Sequence, residues 1–336
     1  MRVAVIGAGS WGTAFARLLA LVGHRVRLWA RRPEHARILE ETRENPDYLP
    51  GIVLPKSIGF TCDLKKALAG AEAVFFAVPS FGLRDVARRA APHVPPGIPL
   101  VSLTKGLEPG TGRRMSQVLA EHLPSHPLFA LSGPCHAEEV ARDHPTAVVL
   151  AGEDLPLGER LQRALMTPRF RVYLSDDLLG VEYCGATKNV LAIGAGISEG
   201  LGYGDNTKAA LITRGLAELV RLGRAVGARP ETLYGLAGLG DLVVTATSEH
   251  SRNRRVGFRL GQGEPIEEIL GGMRMVAEGV HTSKLVHELS EKLGVELPLC
   301  EAVWRVLYLG ESPQAQIDRL MLRSPKREFF DSSSGS

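Results

Sequence analysis

The sequence predicts an α/β chain in which a mostly parallel sheet domain is followed by an all-α domain. Three observations predict it: short apolar runs alternate with helical stretches through the first half, a glycine-rich turn joins the first run to the first helix, and strand-like runs stop near residue 177. Buried parallel strands read as continuous apolar runs because both of their faces are covered.

The elements follow in order. Arg2–Ile6 is a β-branched strand, Ser10–Val22 a helix stopped by Gly23, and Arg25–Ala30 a second strand. Apolar runs at Ala73–Val78, Pro99–Leu103, Leu128–Leu131, Ala147–Ala151 and Phe170–Leu174 continue the sheet, separated by helical stretches such as Phe81–Ala91, Gly112–His122 and Leu157–Met166. Helical patterns then take over at Leu178–Ile197, Asn206–Val226, Pro230–Leu236, Pro265–Leu270, Val280–Leu293 and Pro298–Tyr308. The expected units are therefore a sheet domain at 1–177, a helical domain at 178–325 and a polar tail at 326–336.

Composition narrows the function. With 336 residues the chain exceeds what one core usually fills, so two domains are expected. A net charge of +3 gives no case for nucleic acid. No apolar run approaches the ~20 residues of a membrane helix. The start, Met1 to Gly7, is too short an apolar run for a signal peptide. Cys62, Cys135, Cys184 and Cys300 form no CxxC pair, so no metal site or disulfide framework is suggested and a reducing cytoplasm is expected.

Gly7-Ala8-Gly9-Ser10-Trp11-Gly12 is the strongest local signal. It follows a strand and opens a helix, the context in which G-x-G-x-x-G binds a dinucleotide and the sheet is Rossmann-like. Gly7 makes the tight turn, Gly9 lets backbone approach a pyrophosphate, and Gly12 lets helix and strand pack closely. The second strand ends in Arg31 and Arg32, where an NAD-selective site carries a carboxylate. Guanidinium groups suit a 2′-phosphate, so NADPH is favoured and NADH retained.

Lys188 lies alone among apolar and small residues, with no other Lys or Arg between Arg171 and Lys208. An amine on such a helix is costly to bury unless it meets an anion, and burial lowers its pKa into the range useful for proton transfer. A snorkelling lysine at the domain seam is the competing reading. Lys105 and the loop Ser132-Gly133-Pro134-Cys135-His136-Ala137 fall at carboxyl ends of strands, where ligands dock. Asp241 follows a glycine-rich turn, positioned to accept from a substrate hydroxyl or to orient Lys188, and Ser251, Arg252 and Asn253 supply donors suited to phosphate.

In this order the motifs resemble the bacterial-type NAD(P)-dependent glycerol-3-phosphate dehydrogenases. The resemblance rests on Gly7–Ala14, Val78-Pro79-Ser80, Thr104–Leu107, Ser132-Gly133-Pro134, Val181–Ala195, Leu211–Glu218, Ala237–Leu242, Ser251–Arg255 and Gly261-Gln262-Gly263. It implies a helical domain like that of 6-phosphogluconate dehydrogenase, a homodimer, and reduction of dihydroxyacetone phosphate to sn-glycerol 3-phosphate for glycerophospholipid synthesis. It also implies residue roles. Gly7, Gly9, Ser10, Trp11, Gly12, Arg31, Arg32, Lys105, Ala137, Arg252, Val276 and Glu278 would meet the cofactor. Lys105, Gly133, Cys135, Lys188, Asp241, Ser251, Arg252 and Asn253 would meet the substrate, with Lys188, Lys105 and Asp241 at the chemistry. Cys135 stands where the family usually has Ser or Thr, which puts that contact in doubt. Two other readings remain at this point: a β-hydroxyacid or 6-phosphogluconate-type dehydrogenase, and a non-catalytic dinucleotide sensor.

Overall fold

The computed structural model describes residues 1–273, 275–325, 327 and 328, so most of the expected polar tail lies outside the described residues. The first half builds one eight-stranded sheet. Its strands are β1 (Arg2–Ile6), β2 (Arg25–Trp29), β3 (Ile58–Thr61), β4 (Ala73–Phe76), β5 (Leu100–Ser102), β6 (Leu128–Ser132), β7 (Thr146–Gly152) and β8 (Phe170–Ser175). Between them run α1 (Ser10–Leu21), α2 (Pro33–Thr42), α3 (Leu64–Leu68), α4 (Ser80–Ala90), α5 (Met115–His122), α6 (Ala137–Ala141) and α7 (Leu155–Leu165). The strand order is β3-β2-β1-β4-β5-β6-β7-β8.

Alternation along the strands explains the two covered faces. Val3, Val5 and Phe75 enter one apolar cluster with α1 residues, while Ala4, Ile6, Val74 and Phe76 enter another with residues of α4 and α5. The sheet is mostly parallel, as expected, with one reversal whose place the apolar runs do not mark. β6 pairs antiparallel with β7 through Ala130↔Ala151, and β8 follows β7 in parallel. An apolar run covered on both sides carries no mark of direction, so periodicity alone misses the reversal.

After Ser175 no strand occurs among the described residues. The helices are α8 (Leu178–Gly200), α9 (Asp205–Ala225), α10 (Pro230–Tyr234), a π-helical turn at Leu236–Gly240, α11 (Asp241–Thr247), α12 (Arg252–Gly261), α13 (Ile266–Gly271), α14 (Glu278–Leu293), α15 (Pro298–Leu309) and α16 (Pro313–Met321). Asp177 starts α8 by accepting from Gly180 N at 2.8 Å. α8 is apolar nearly all round because α9, α11, α12, α14, α15 and β6 pack about it. α12 lies so close that a Cβ at Gly257 would stand 1.9 Å from the Ile193 carbonyl oxygen. The expected Ser251–Arg255 cluster is thus the start of a helix pinned against α8.

One buried carboxylate ties this helix to the sheet. Glu182 on α8 accepts from Ser116 N at 2.7 Å, Ser116 Oγ at 2.6 Å and Arg114 at 2.7 Å. Lys188, less than two turns further along α8, is thereby fixed relative to the strand ends. Among the described residues, no helix is long and apolar enough to cross a membrane.

Candidate active site

Strands β1 to β6 that are neighbours in the sheet pair in parallel, so their carboxyl ends share one edge. Along it, in spatial order, come Arg31 and Arg32 after β2, the glycine turn after β1, Ser80 after β4, Lys105 after β5 and Cys135 after β6. At ~4.8 Å per strand, β2 and β5 are about 14 Å apart. That span suits an extended dinucleotide with its ribose phosphate at the arginines and its reactive end at Lys105.

The glycine turn is shaped for such a ligand. Gly7 has φ +119°, and a Cβ at Gly12 would stand 1.9 Å from Gly7 O, so both positions require glycine. A Cβ at Gly9 meets nothing within 4 Å, leaving the backbone face open. The N-terminus of α1 has no side-chain cap, and Trp11 Nε1 is buried without a partner. These features fit a pyrophosphate at the helix N-terminus. Sequence reasoning missed the support beneath the turn: buried Asn45 donates to Ala8 O at 2.9 Å and Thr13 Oγ1 at 2.7 Å. Ser10 Oγ donates to Met275 Sδ at 3.1 Å, bringing the α13–α14 connection, which also carries Val276, against the turn. Arg31 and Arg32 are exposed, and Arg32 lies 3.7 Å from Asp47.

Where α8 meets the ends of β5 and β6, one carboxylate holds two amines. Asp241 Oδ1 accepts from Lys188 Nζ at 2.9 Å, and Oδ2 accepts from Lys105 Nζ at 2.8 Å. Lys188 also donates to Thr245 Oγ1 at 2.6 Å, and Lys105 to Gly133 O at 2.7 Å. Lys188 is 5% exposed and Asp241 1%, so both charges lie essentially out of water. The π-helical turn Leu236–Gly240 delivers Asp241 at the start of α11, and Thr245 sits one turn further on the same helix face.

The charges settle unequally. Burial lowers the pKa of Lys188, Asp241 draws it back up, and the Lys105 charge lowers it again, leaving about 8. Burial also opposes the charge on Lys105, but the charge of Asp241 outweighs it and its pKa rises. For Asp241 burial is outweighed by the two lysines, so its pKa falls. The site holds one permanent cation and one amine able to exchange a proton near neutral pH.

Cys135 lies 3.3 Å from Lys105 Nζ and donates to Gly133 O at 3.0 Å. Burial pushes its thiol up against the pull of Lys105. It therefore stands beside the amines as a thiol rather than a thiolate nucleophile. Ala137 opens α6 immediately beyond.

The phosphate candidates occupy different states. Ser251 Oγ caps α12 by accepting from Arg254 N at 3.2 Å. Asn253 donates to Asn189 Oδ1 at 2.8 Å and accepts from Gly279 N at 2.9 Å, while Asn189 donates to Lys105 O at 3.0 Å. This amide chain, missed in the sequence, joins α8, α12 and α14 to the loop bearing Lys105. Arg254 is engaged by Glu199. Arg252 is exposed and makes no hydrogen bond or ion pair among the described residues. Surrounding protein lowers its pKa, with Glu278 and Glu138 opposing. Glu278 spans the two halves of the chain, accepting from Ser80 N at 2.8 Å and Ser80 Oγ at 2.5 Å. Burial raises its carboxyl against those bonds.

Two family models match, described as the NAD-dependent glycerol-3-phosphate dehydrogenase N-terminus over residues 2–157 and C-terminus over residues 177–318. The chain is 51% identical over 331 residues to a glycerol-3-phosphate dehydrogenase (NAD(P)+) of Pelotomaculum thermopropionicum, covering 98% of this chain and 95% of that protein. It is 52% identical over 321 residues to that of Rhodospirillum rubrum, covering 96% and 92%. A crystal structure of glycerol-3-phosphate dehydrogenase from Coxiella burnetii superimposes with TM-score 0.92 at 42% identity, over 96% of this chain and 99% of that one.

Proposed function

Because this chain belongs to the NAD-dependent glycerol-3-phosphate dehydrogenase family, we propose that its working direction is reduction of dihydroxyacetone phosphate to sn-glycerol 3-phosphate, with NADPH preferred and the product supplying glycerophospholipid synthesis. Glycerol-3-phosphate dehydrogenase activity with NAD(P) follows from near-full-length identity of about half. The sugar-acid and sensor readings thereby fall away. A homodimer in the cytoplasm completes the proposal.

The observation that carries it is the buried Lys188 amine, held by Asp241 and Thr245 with a pKa of about 8. When bound, the reduced nicotinamide supplies the hydride for the carbonyl carbon. Lys188 holds the carbonyl oxygen and passes a proton to it as negative charge develops; the amine regains that proton from solvent. In the opposite direction the neutral amine takes the proton from the alcohol. Asp241 aims Lys188 and Lys105 with its two oxygens, and Lys105 keeps a fixed positive charge beside the oxygen. Arg252 takes the phosphate, with Ser251 and the second amide proton of Asn253 as further donors. That grip sets the distance and face of attack. Cys135 and Gly133 line the substrate's other side. Gly7, Gly9, Ser10, Trp11 and Gly12 cradle the pyrophosphate, with Ala137, Val276 and Glu278 closing over the cofactor.

The test follows absorbance of the reduced cofactor with dihydroxyacetone phosphate, using NADPH and NADH in parallel. Consumption dependent on the ketone phosphate, faster at low NADPH than at low NADH, is expected. Replacing Arg31 and Arg32 together by Ser should move the preference toward NADH; an unmoved preference rejects their role. No consumption with either cofactor rejects the direction proposed.

A further inference from the structure

His136 has no part in the reading above, yet it stands beside the amines. It follows Cys135 directly in the loop from β6 to α6. Its Nε2 is buried and has no hydrogen-bond partner, although the residue is only partly covered. A buried polar nitrogen left unpaired costs about 1–3 kcal/mol, so such an atom calls for a partner that arrives later. The ring meets His250 edge-on, with centroids 6.0 Å apart and planes at 60°. His250 is exposed on the turn joining α11 to α12, two residues before Arg252. His136 thus lies between the amine cluster and the turn that leads to the phosphate grip.

The ring's chemistry is narrow. Burial first, then the charges of Lys188 and Lys105, push its pKa down to about 4, against pulls from Asp241 and the Val244 backbone. At neutral pH the imidazole carries one proton. The Val244 backbone favours the protonated ring while Nε2 meets no protein partner, so the ring's one proton is assigned to Nδ1. Nε2 is left as a bare acceptor. The carboxylate and carbonyl acceptors beside the amines are committed, which leaves only hydroxyls such as Ser132 Oγ as rivals to the ring. Asp241 Oδ1 takes Lys188 and Thr245, Oδ2 takes Lys105, and Gly133 O takes Lys105 and Cys135.

Dihydroxyacetone phosphate offers three polar groups: a phosphate, a carbonyl and a hydroxymethyl. The first two are assigned to Arg252 and Lys188, and the third brings an O–H that needs an acceptor. We propose that His136 Nε2 accepts the hydroxymethyl O–H of the substrate, so that this residue sets the preference for hydroxymethyl over methyl ketone phosphates. The inference rests on the dihydroxyacetone phosphate reading. A methyl group in the same place leaves Nε2 unpaired, and the site rejects it by that loss.

The experiment compares kcat/KM for dihydroxyacetone phosphate and for hydroxyacetone phosphate, which lacks only that hydroxyl. The native enzyme should prefer the former. His136→Phe should lower the ratio about 10-fold or more, and His136→Gln, whose amide oxygen can accept, should restore most of it. In parallel, the 15N signal of His136 Nε2 in the native enzyme should move on binding glycerol 3-phosphate but not propane-1,2-diol 1-phosphate, a readout independent of whether the Phe variant folds. An unchanged ratio in His136→Phe, or equal shifts with both ligands, overturns the assignment. Failure of the native enzyme on dihydroxyacetone phosphate itself would instead remove the reading beneath it.

Discussion

Two buried carboxylates in the helical half show how differently the same fold treats the same chemical group. Asp241 receives two lysine amines, and its pKa falls despite full burial. Glu218 on α9 accepts backbone N–H groups, from Leu299 at 2.6 Å and Cys300 at 3.1 Å where α15 begins, and its one cation, Arg221, stands off at 4.0 Å. Burial there wins over those bonds and pushes its pKa up to about 7. Neutral donors with a cation at 4.0 Å can orient a carboxylate out of water, but amines in hydrogen-bond contact are needed to keep it ionised there. The contrast separates a carboxylate that organises chemistry from one that closes a helix end.

The largest expected effect falls on the amine that Asp241 holds. Lys188→Met should fold, because Asp241 keeps Lys105, and should bind cofactor while turnover drops ~10²–10⁴-fold. Steady-state kinetics check this, and turnover within a few-fold of native would take Lys188 out of the reaction. In the native enzyme the reductive kcat/KM should fall above pH of about 8, where Lys188 loses its proton, and the oxidative kcat/KM should rise through the same pH. Next in size, Asp241→Asn should lower turnover by about 10–100-fold. It also removes the charge that raises the Lys188 pKa, so the reductive break should move below its native position. A break that stays put would mean the two groups are not coupled as the geometry states.

These two residues were legible because each is conspicuous in the chain. Lys188 is a lone amine on an apolar helix, and Asp241 follows a glycine-rich turn. Their meeting was suggested by function alone, since nothing local links positions 53 apart. Thr245 carries a usable signal, one helical turn beyond Asp241, but the short run of α11 is not marked as a helix by the residues alone. The Asn189–Asn253 chain and Asn45 had none, for an amide's partners depend on tertiary approach. The Ser251–Arg255 cluster reads as a set of phosphate donors, yet its arginines part company: Arg254 turns to Glu199 and Arg252 stays open. Strand direction at β7 was likewise invisible, and β3 was too short and glycine-broken to stand out.

Arg252 gives the next smaller effect and tests the open cation against the engaged ones. Arg252→Ala should raise KM for dihydroxyacetone phosphate about 10–100-fold, the loss of a charge-assisted contact, with kcat changed less. KM equal to native would place the phosphate elsewhere.

The smallest effect on activity belongs to Glu218, and it probes the other half of the comparison. Its folded pKa is raised to about 7 from the ordinary 4.5. Between those values the folded chain binds more protons than the unfolded one. The group's contribution to stability is therefore complete below pH 4.5 and is lost as pH rises through about 7. Glu218→Gln keeps an oxygen for one of the two N–H groups but cannot titrate. Its Tm should lose several degrees of the native decline between pH 5 and 8, while kcat and KM stay as they were. A native-like slope in the Gln variant would show that the carboxylate is already charged at acid pH. Backbone donors with a cation as far off as Arg221 would then suffice to ionise a buried acid, and the distinction between Glu218 and Asp241 would vanish.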